Sequence, residues 1–173
     1  MYMYSRLATG AMLVKRSLAI GANETAGELH DRLAKLGRET MEETIRQLCT
    51  GTLSPEKQND DLTCYAPMMK KEDGRLDWSR PATELHNQVR GLDPWPGAYT
   101  SLNGELLKLG ATCVAEGQGE AGCVIAADKD GVKVACGEGV LMINQLQLAG
   151  RKRLNAADFL RGQLLPAGTR LGD

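Results

Sequence analysis

Two groups of cations and one clamped aromatic are the residues whose types and spacing could do chemistry. Lys70 and Lys71 stand together with Arg75 close behind, a small basic cluster on chain that should be exposed. Such a cluster can meet nucleic-acid phosphates, although a pair of lysines in a connector is usually only solvated. Arg151-Lys152-Arg153 is a run of three consecutive cations late in the chain. Trp95 lies between Pro94 and Pro96, and each proline fixes its own φ while pushing the residue before it toward extended geometry. The indole is therefore presented by a stiff, non-helical segment. A nucleotide could stack on it, but a ring that buttresses a rigid corner is the commoner use, so burial is the expectation for Trp95 and for Tyr99 after it.

Other chemistries find little support. The five cysteines, Cys49, Cys64, Cys113, Cys123 and Cys136, are odd in number and form no C-x-x-C pair, which reads as reduced thiols rather than a disulfide or zinc framework. The two histidines, His30 and His86, are not close to any cysteine, so no metal site is expected. His30, beside Asp31 on a helical stretch, reads as a surface or half-buried residue. The formal net charge is -1, so any nucleic-acid site must be a local patch. No apolar run approaches the roughly 20 residues of a membrane span and no signal peptide opens the sequence, so a cytoplasmic protein is expected.

The elements that position these residues follow from spacing. With 173 residues the chain is one domain or a little more. Ala11–Leu18 reads as a strand. Asn23–Leu48 reads as one helix, because Ala26, Leu29, Leu33, Leu36, Met41, Ile45 and Leu48 make a single apolar stripe. Thr25 with Glu28 three residues on has the form of a capping box, and Gly51 suits the exit. One strand and one amphipathic helix make no core, so residues 1–55 read as the edge of a domain. Pro55, the polar run Glu56–Asp61 and the stretch Pro67–Asp73 interrupt any periodicity and read as a connector over residues 56–75.

From Leu76 the signals turn to short strands. Pro81 sits at the start of a helix running through Gly91, with Leu85 and Val89 on its buried side. Ala98–Leu102 reads as a strand turned back by Asn103-Gly104, a strong two-residue hairpin signal. Leu106–Ala115, Gly122–Ala127, Val132–Ala135 and Val140–Leu148 follow, the last alternating with one break. Asn155 or Asp158 can cap a closing helix through Arg161. The class is α+β, and five or so sequential short strands with a small helix suggest a small barrel over residues 76–173.

Several of these segments resemble the methionyl-tRNA formyltransferase family. Tyr65-Ala66-Pro67, Lys71-Glu72-Asp73-Gly74-Arg75-Leu76-Asp77-Trp78, Glu84-Leu85-His86-Asn87 with Val89-Arg90, and Pro94-Trp95-Pro96-Gly97-Ala98-Tyr99 are similar to its C-terminal domain. Gly150-Arg151-Lys152-Arg153-Leu154 with Phe159-Leu160-Arg161-Gly162 is similar to its closing motif, and Thr9-Gly10-Ala11-Met12-Leu13 and Thr25-Ala26-Gly27 with Leu29-His30-Asp31-Arg32-Leu33 to the end of its catalytic domain. The resemblance implies a strand and helix from a Rossmann-like formyltransferase domain, then a linker, then an OB-like barrel with flanking helices. It implies formyl transfer from 10-formyltetrahydrofolate to initiator methionyl-tRNA as the family reaction, and it makes Lys70, Lys71, Arg75, Arg151, Lys152 and Arg153 the candidates for tRNA phosphates. No catalytic role carries over to His86, which reads as structural.

The family's catalytic residues do not carry over either. The family uses an Asn and a His in a motif of the H-x-S-L-L-P type, a string this sequence lacks, and an Asp in a stretch of the form M-D-x-G-L-D-T-G. Here Tyr4 stands at that Asp, Arg6 at a Gly and Ala8 at a second Asp, and a phenol with an ordinary pKa near 10 is a poor substitute for a carboxylate. The expectation is a truncated, tRNA-binding chain that is not catalytic by itself and binds no cofactor. The alternatives are one half of a split enzyme, active with a separate catalytic chain, and a non-functional fragment. Beside initiator tRNA, the expected partner is such a catalytic chain or a second copy, through the helix at residues 25–48.

Overall fold

In a computed structural model of the chain, residues 1–3 and 10–172 are described. Tyr4, Arg6 and Ala8, the substituted positions of the expected catalytic stretch, lie outside the described residues. The chain forms two compact units, residues 1–22 with 28–68 and residues 23–27 with 69–173.

The first unit is built on one helix. α1 spans Ala26–Thr50 and contains no buried residue, so its apolar stripe leaves Leu33, Met41, Ile45 and Leu48 exposed. It ends as Gly51 predicts. With φ at +69°, Gly51 donates its amide to Leu48 and Thr52 donates to Gln47, the paired bonds of a Schellman motif that satisfy the last carbonyls. His30 is exposed beside Asp31. The strand expected over Ala11–Leu18 does not form. Met12 makes a single antiparallel bridge with Glu56, and without a longer neighbouring strand among the described residues its amides have no ladder to join.

The second unit holds the hydrophobic core. α2 (Ala82–Gly91) starts behind Pro81 and buries Leu85, His86 and Val89. The strands are β1 (Ala98–Leu102), β2 (Glu105–Ala115), β3 (Val124–Asp128), β4 (Gly131–Ala135), β5 (Val140–Leu148) and β6 (Leu154–Asn155), and α3 (Ala156–Gly162) follows. They form one antiparallel sheet in the order β1-β2-β5-β4-β3, with β6 also paired to β5. Asn103 and Gly104 both have positive φ, as a tight I′ turn requires, and this sets Leu102 opposite Glu105. The break in the alternation of β5 has a structural cause. Val140–Ile143 pairs with β4 while Gln145 and Leu146 pair with β6, so the strand changes partners where its polar residues fall side by side. Asn155 caps α3 by accepting from the Asp158 amide at 2.8 Å.

A closed barrel is not what forms. β1 and β3 are the two edges of the sheet and do not pair. Instead the terminal segment runs along the start of β3, with Val124 donating to Thr169 and Leu171 to Gly122, and reaches β1 by one bond from the Gly172 amide to Ser101. The edges are thus shielded by extended chain rather than closed on each other. The supported description is mixed helix and antiparallel sheet.

Two buried polar pairs are satisfied inside this core. Trp78 donates Nε1–H to Thr100 Oγ1 at 3.0 Å, and His86 Nδ1 lies 3.0 Å from Thr112 Oγ1. His86 is therefore a packed, partnered residue, as expected of a structural histidine. All five cysteines are free thiols, with Cys49 and Cys64 exposed and Cys136 buried. Burial pushes the Cys136 thiol up from its ordinary 9.0 to about 11, against a smaller opposing effect from a backbone bond with Leu141. At pH 8 iodoacetamide is expected to alkylate Cys49 and Cys64 quickly and Cys136 only on unfolding, read by mass spectrometry of the peptides. Since the folded thiol holds its proton more tightly than the unfolded one, Cys136 leaves stability unchanged below pH 9.0 and costs stability as pH rises from there toward 11.

Candidate nucleic-acid interface

The register of the sheet decides what its outer face carries. Side chains directly opposite one another in an antiparallel pair share a face. Ala98, Thr100 and Leu102 are buried, as are Leu107 and Leu109, so the intervening residues point away from the core. Tyr99 stands opposite Lys108 and Lys108 opposite Gln147. On the other side of β1, Arg75 makes a parallel bridge with Tyr99, and it alternates outward between buried Gly74 and Leu76. Arg75, Tyr99, Lys108 and Gln147 therefore form one row across the outer face.

A second row crosses Gly110 and Gln145. Here the Arg153 guanidinium lies over Gly110, whose missing side chain makes room: a Cβ there would sit 3.2 Å from Arg153 Nη1. The same Nη1 donates to both carboxylate oxygens of Asp93, at 3.1 and 3.2 Å, across 60 residues of sequence. Asp93 is only 18 % exposed, so this pair is better shielded than a surface ion pair. Arg151 and Lys152 are exposed in the turn just before, and the Arg151 carbonyl accepts from Gln147 Nε2 at 2.7 Å. That bond ties the cationic turn to the first row.

Lys70 and Lys71 begin the 3-10 turn Lys71–Gly74 that packs on β1. The Lys70 amide donates to Asp73 Oδ2 at 2.7 Å, while both lysine side chains are exposed. Gly74 allows the turn to approach so closely, since a Cβ on it would lie 2.2 Å from the Gly97 carbonyl oxygen and 3.2 Å from the Tyr99 ring. Among the described residues Lys70, Lys71, Arg75, Arg151 and Lys152 form no ion pair, whereas Arg153 is held by Asp93. Sequence spacing alone does not show that Arg75 and Arg153 flank one face, nor that Lys108 and Gln147 lie between them. The signal for Lys108 was present: the Asn103-Gly104 turn fixes Leu102 against Glu105, and counting back sets Tyr99 against Lys108.

Trp95 corrects an expectation. It is 57 % exposed, and the buried apolar residue of its loop is Leu92. Tyr99 is half-buried beside Gly74. Nearby, the Ser79 hydroxyl and amide both donate to Asp77 Oδ1 at 2.7 and 3.0 Å, which holds the Asp77 carboxyl below its ordinary value. That stabilising turn before α2 is present above the ordinary pKa of 3.8 and is lost as pH falls below it.

The family described as formyl transferase, C-terminal domain, matches residues 68–164. The methionyl-tRNA formyltransferase of Geobacter metallireducens is 56 % identical over 172 residues, covering 99 % of this chain and 55 % of that protein. The chain belongs to the methionyl-tRNA formyltransferase family. The formyltransferase of Geobacter sulfurreducens is 54 % identical over 173 residues, and that of Bacillus licheniformis is 45 % identical over 175, again covering 55 % of the relative. The chain thus spans about half the length of the curated methionyl-tRNA formyltransferases it matches. Among solved structures, HypX from Aquifex aeolicus in complex with tetrahydrofolic acid superposes with a TM-score of 0.70 at 18 % identity, over 96 % of this chain and 32 % of that one. The N-formyltransferase from Helicobacter canadensis gives 0.64 at 15 %, over 88 % and 53 %. At such identities these two likenesses concern the fold alone. Among the described residues no helix is long and apolar enough to cross a membrane, and no three His, Cys, Asp or Glu side chains group as a metal site would need.

Proposed function

We propose that this chain supplies the tRNA-holding part of a cytoplasmic methionyl-tRNA formyltransferase, with initiator tRNA as its partner and no catalytic group of its own. The reaction served is formyl transfer from 10-formyltetrahydrofolate to the methionyl amine. An OB-like use of the sheet belongs to this reading, with an oligonucleotide laid across strands whose outer face is polar. The observation that carries it is the row Arg75–Tyr99–Lys108–Gln147, flanked by Lys70 and Lys71 at one end and by Arg151, Lys152 and the anchored Arg153 at the other. Cations spread along one face suit a phosphate backbone, whose binding weakens as salt restores the released counterions.

Retention of initiator tRNA on a filter tests this. The chain is expected to hold tRNA at about 50 mM salt and to lose roughly a hundredfold or more in affinity by about 200 mM, as some five phosphate contacts imply. Absence of retention at low salt, or retention indifferent to salt, would overturn the reading.

One observation favours a second role beside the first. Leu13, Val14, Leu33, Leu36 and Met41 line an open groove of about 810 Å³ within the first unit, an apolar surface of the kind that marks a protein contact. The catalytic part of a formyltransferase, on the same or a separate chain, is the proposed cover. Mixing this chain with such a part should raise formylation of initiator methionyl-tRNA above that of either alone, and no gain in any mixture would sink the idea.

A further inference from the structure

The two tryptophans have opposite fates. Trp78 is 6 % exposed and Trp95 is 57 % exposed, although both belong to the unit that holds the core. An exposed indole on mobile chain would mean little, yet the loop of Trp95 is held at several points. The Gly97 amide closes it onto the Leu92 carbonyl at 2.9 Å and the Asp93 carbonyl accepts from Gly27 at 3.0 Å. The Asp93 carboxylate is gripped by Arg153, and the Pro94 ring lies against Gly27, where a Cβ would come within 3.0 Å of Pro94 Cδ. Arg90 also donates from Nη1 to the Glu24 carbonyl at 3.1 Å, fixing residues 23–27 beneath the loop. A large π surface is therefore offered to solvent already ordered, so a ligand that lands on it loses little further freedom.

The surroundings favour a nucleotide over a protein side chain. The loop runs directly into β1, and its Asp93–Arg153 contact places it against the outer face that carries Tyr99, Lys108 and Gln147. Trp95 sits between Pro94 and Pro96, two residues from the Asp93 that pairs with Arg153. The large apolar residue of its own loop, Leu92, is buried rather than adding to an apolar patch of the kind that protein partners use. Every base has a π-face, whatever its identity, and aromatic platforms beside cationic grooves hold unpaired nucleotides.

We propose that Trp95 is a base-stacking platform: an unpaired nucleotide of the bound RNA lies against the indole while the cations of the adjoining sheet face hold the neighbouring phosphates. The inference rests on the tRNA-binding reading, and the test separates the two. The whole chain is titrated with initiator tRNA and, in parallel, with a blunt RNA duplex that has no unpaired base, while affinity and tryptophan emission are followed. Emission is expected to fall on adding tRNA and to stay level with the duplex. Trp95→Phe should bind tRNA within a few-fold of the parent and show no emission change, since only buried Trp78 remains. Trp95→Ala should bind tRNA about tenfold more weakly, with duplex affinity, salt dependence and thermal midpoint unchanged.

Trp95→Ala binding tRNA as tightly as the parent, with the parent's emission level throughout, overturns the stacking site and leaves the tRNA-binding reading standing. Equal weakening toward tRNA and duplex also overturns it, because that marks a general effect on the face. An emission change produced by the catalytic part of a formyltransferase and not by tRNA assigns the indole to a protein contact instead. A parent chain that binds no RNA at low salt removes both proposals together.

Discussion

Gly137→Ala is expected to lower the thermal midpoint of the second unit by roughly 10 °C or more. A Cβ on Gly137 would lie 1.8 Å from the Ser79 carbonyl oxygen and 2.6 Å from its carbon, and neither atom can swing aside as the tip of a flexible side chain could. The Gly137 amide donates to the Trp78 and Arg80 carbonyls at 2.9 and 3.1 Å, while the Ala82 amide donates to Glu138 at 2.8 Å. The crossing of residues 78–82 over 137–138 therefore sets both the buried Trp78 and the start of α2. Relief of the clash moves that crossing. Overpacking costs about 1–3 kcal/mol and each lost hydrogen bond about 1 kcal/mol more, so about 3–5 kcal/mol is expected from a fold whose total is of order 10 kcal/mol. Gly37→Ala is the control, since nothing lies within 4 Å of its Cβ position in α1, and a helical Gly→Ala change there should be neutral or stabilising by up to about 1 kcal/mol. Calorimetry of the two variants beside the parent checks both, and a Gly137→Ala chain that melts with the parent would contradict the packing described.

The largest effect on binding is expected from reversing the four cations that touch no partner at the two ends of the face. Lys70→Glu, Lys71→Glu, Arg151→Glu and Lys152→Glu together should weaken initiator tRNA binding at about 100 mM salt by roughly a thousandfold, since four lost phosphate contacts each remove a counterion-release contribution. The fold should be untouched, because all four side chains are exposed and form no ion pair among the described residues. Arg153 is excluded from the set for a reason of geometry. Its guanidinium is engaged with Asp93, so reversing it would leave a half-buried carboxylate unpaired against a second one and disturb the Trp95 loop. Any loss it caused would mix positioning with contact.

The features written in local chemistry are legible in the sequence itself. Gly51 at the end of α1, Pro81 at the head of α2, Asn155 at the head of α3 and the Asn103-Gly104 turn each act through the backbone of the next few residues, and each is found where its residue type requires. The features that depend on distant partners were not. Ala11–Leu18 has strand-like composition, but a strand needs a neighbour, and among the described residues Met12 makes a single bridge, to Glu56. A barrel was expected from five short strands in sequence, yet closure depends on whether β1 meets β3, and the segment at 168–172 lies there in its place. Trp95 was expected to be buried because its prolines make the loop rigid. Rigidity was right and the direction was not, because which side of a stiff corner faces the core is settled by Leu92 and by the Arg153–Asp93 contact 60 residues away. At the site the individual cations were legible, and the shared face that links Arg75 to Arg153 through Lys108 was a matter of strand order.

Whether the outer sheet face holds RNA by its phosphates is tested most directly by the salt dependence of tRNA affinity. The slope of log affinity against log salt is to be measured for the parent chain and for one carrying Lys70→Gln, Lys71→Gln, Arg151→Gln and Lys152→Gln, which neutralise without repelling. The expected result is a slope of about -4 for the parent that flattens by about 3 in the variant. Equal slopes for the two chains would contradict phosphate holding by this face, because these cations would then not be the ones that displace counterions from the RNA.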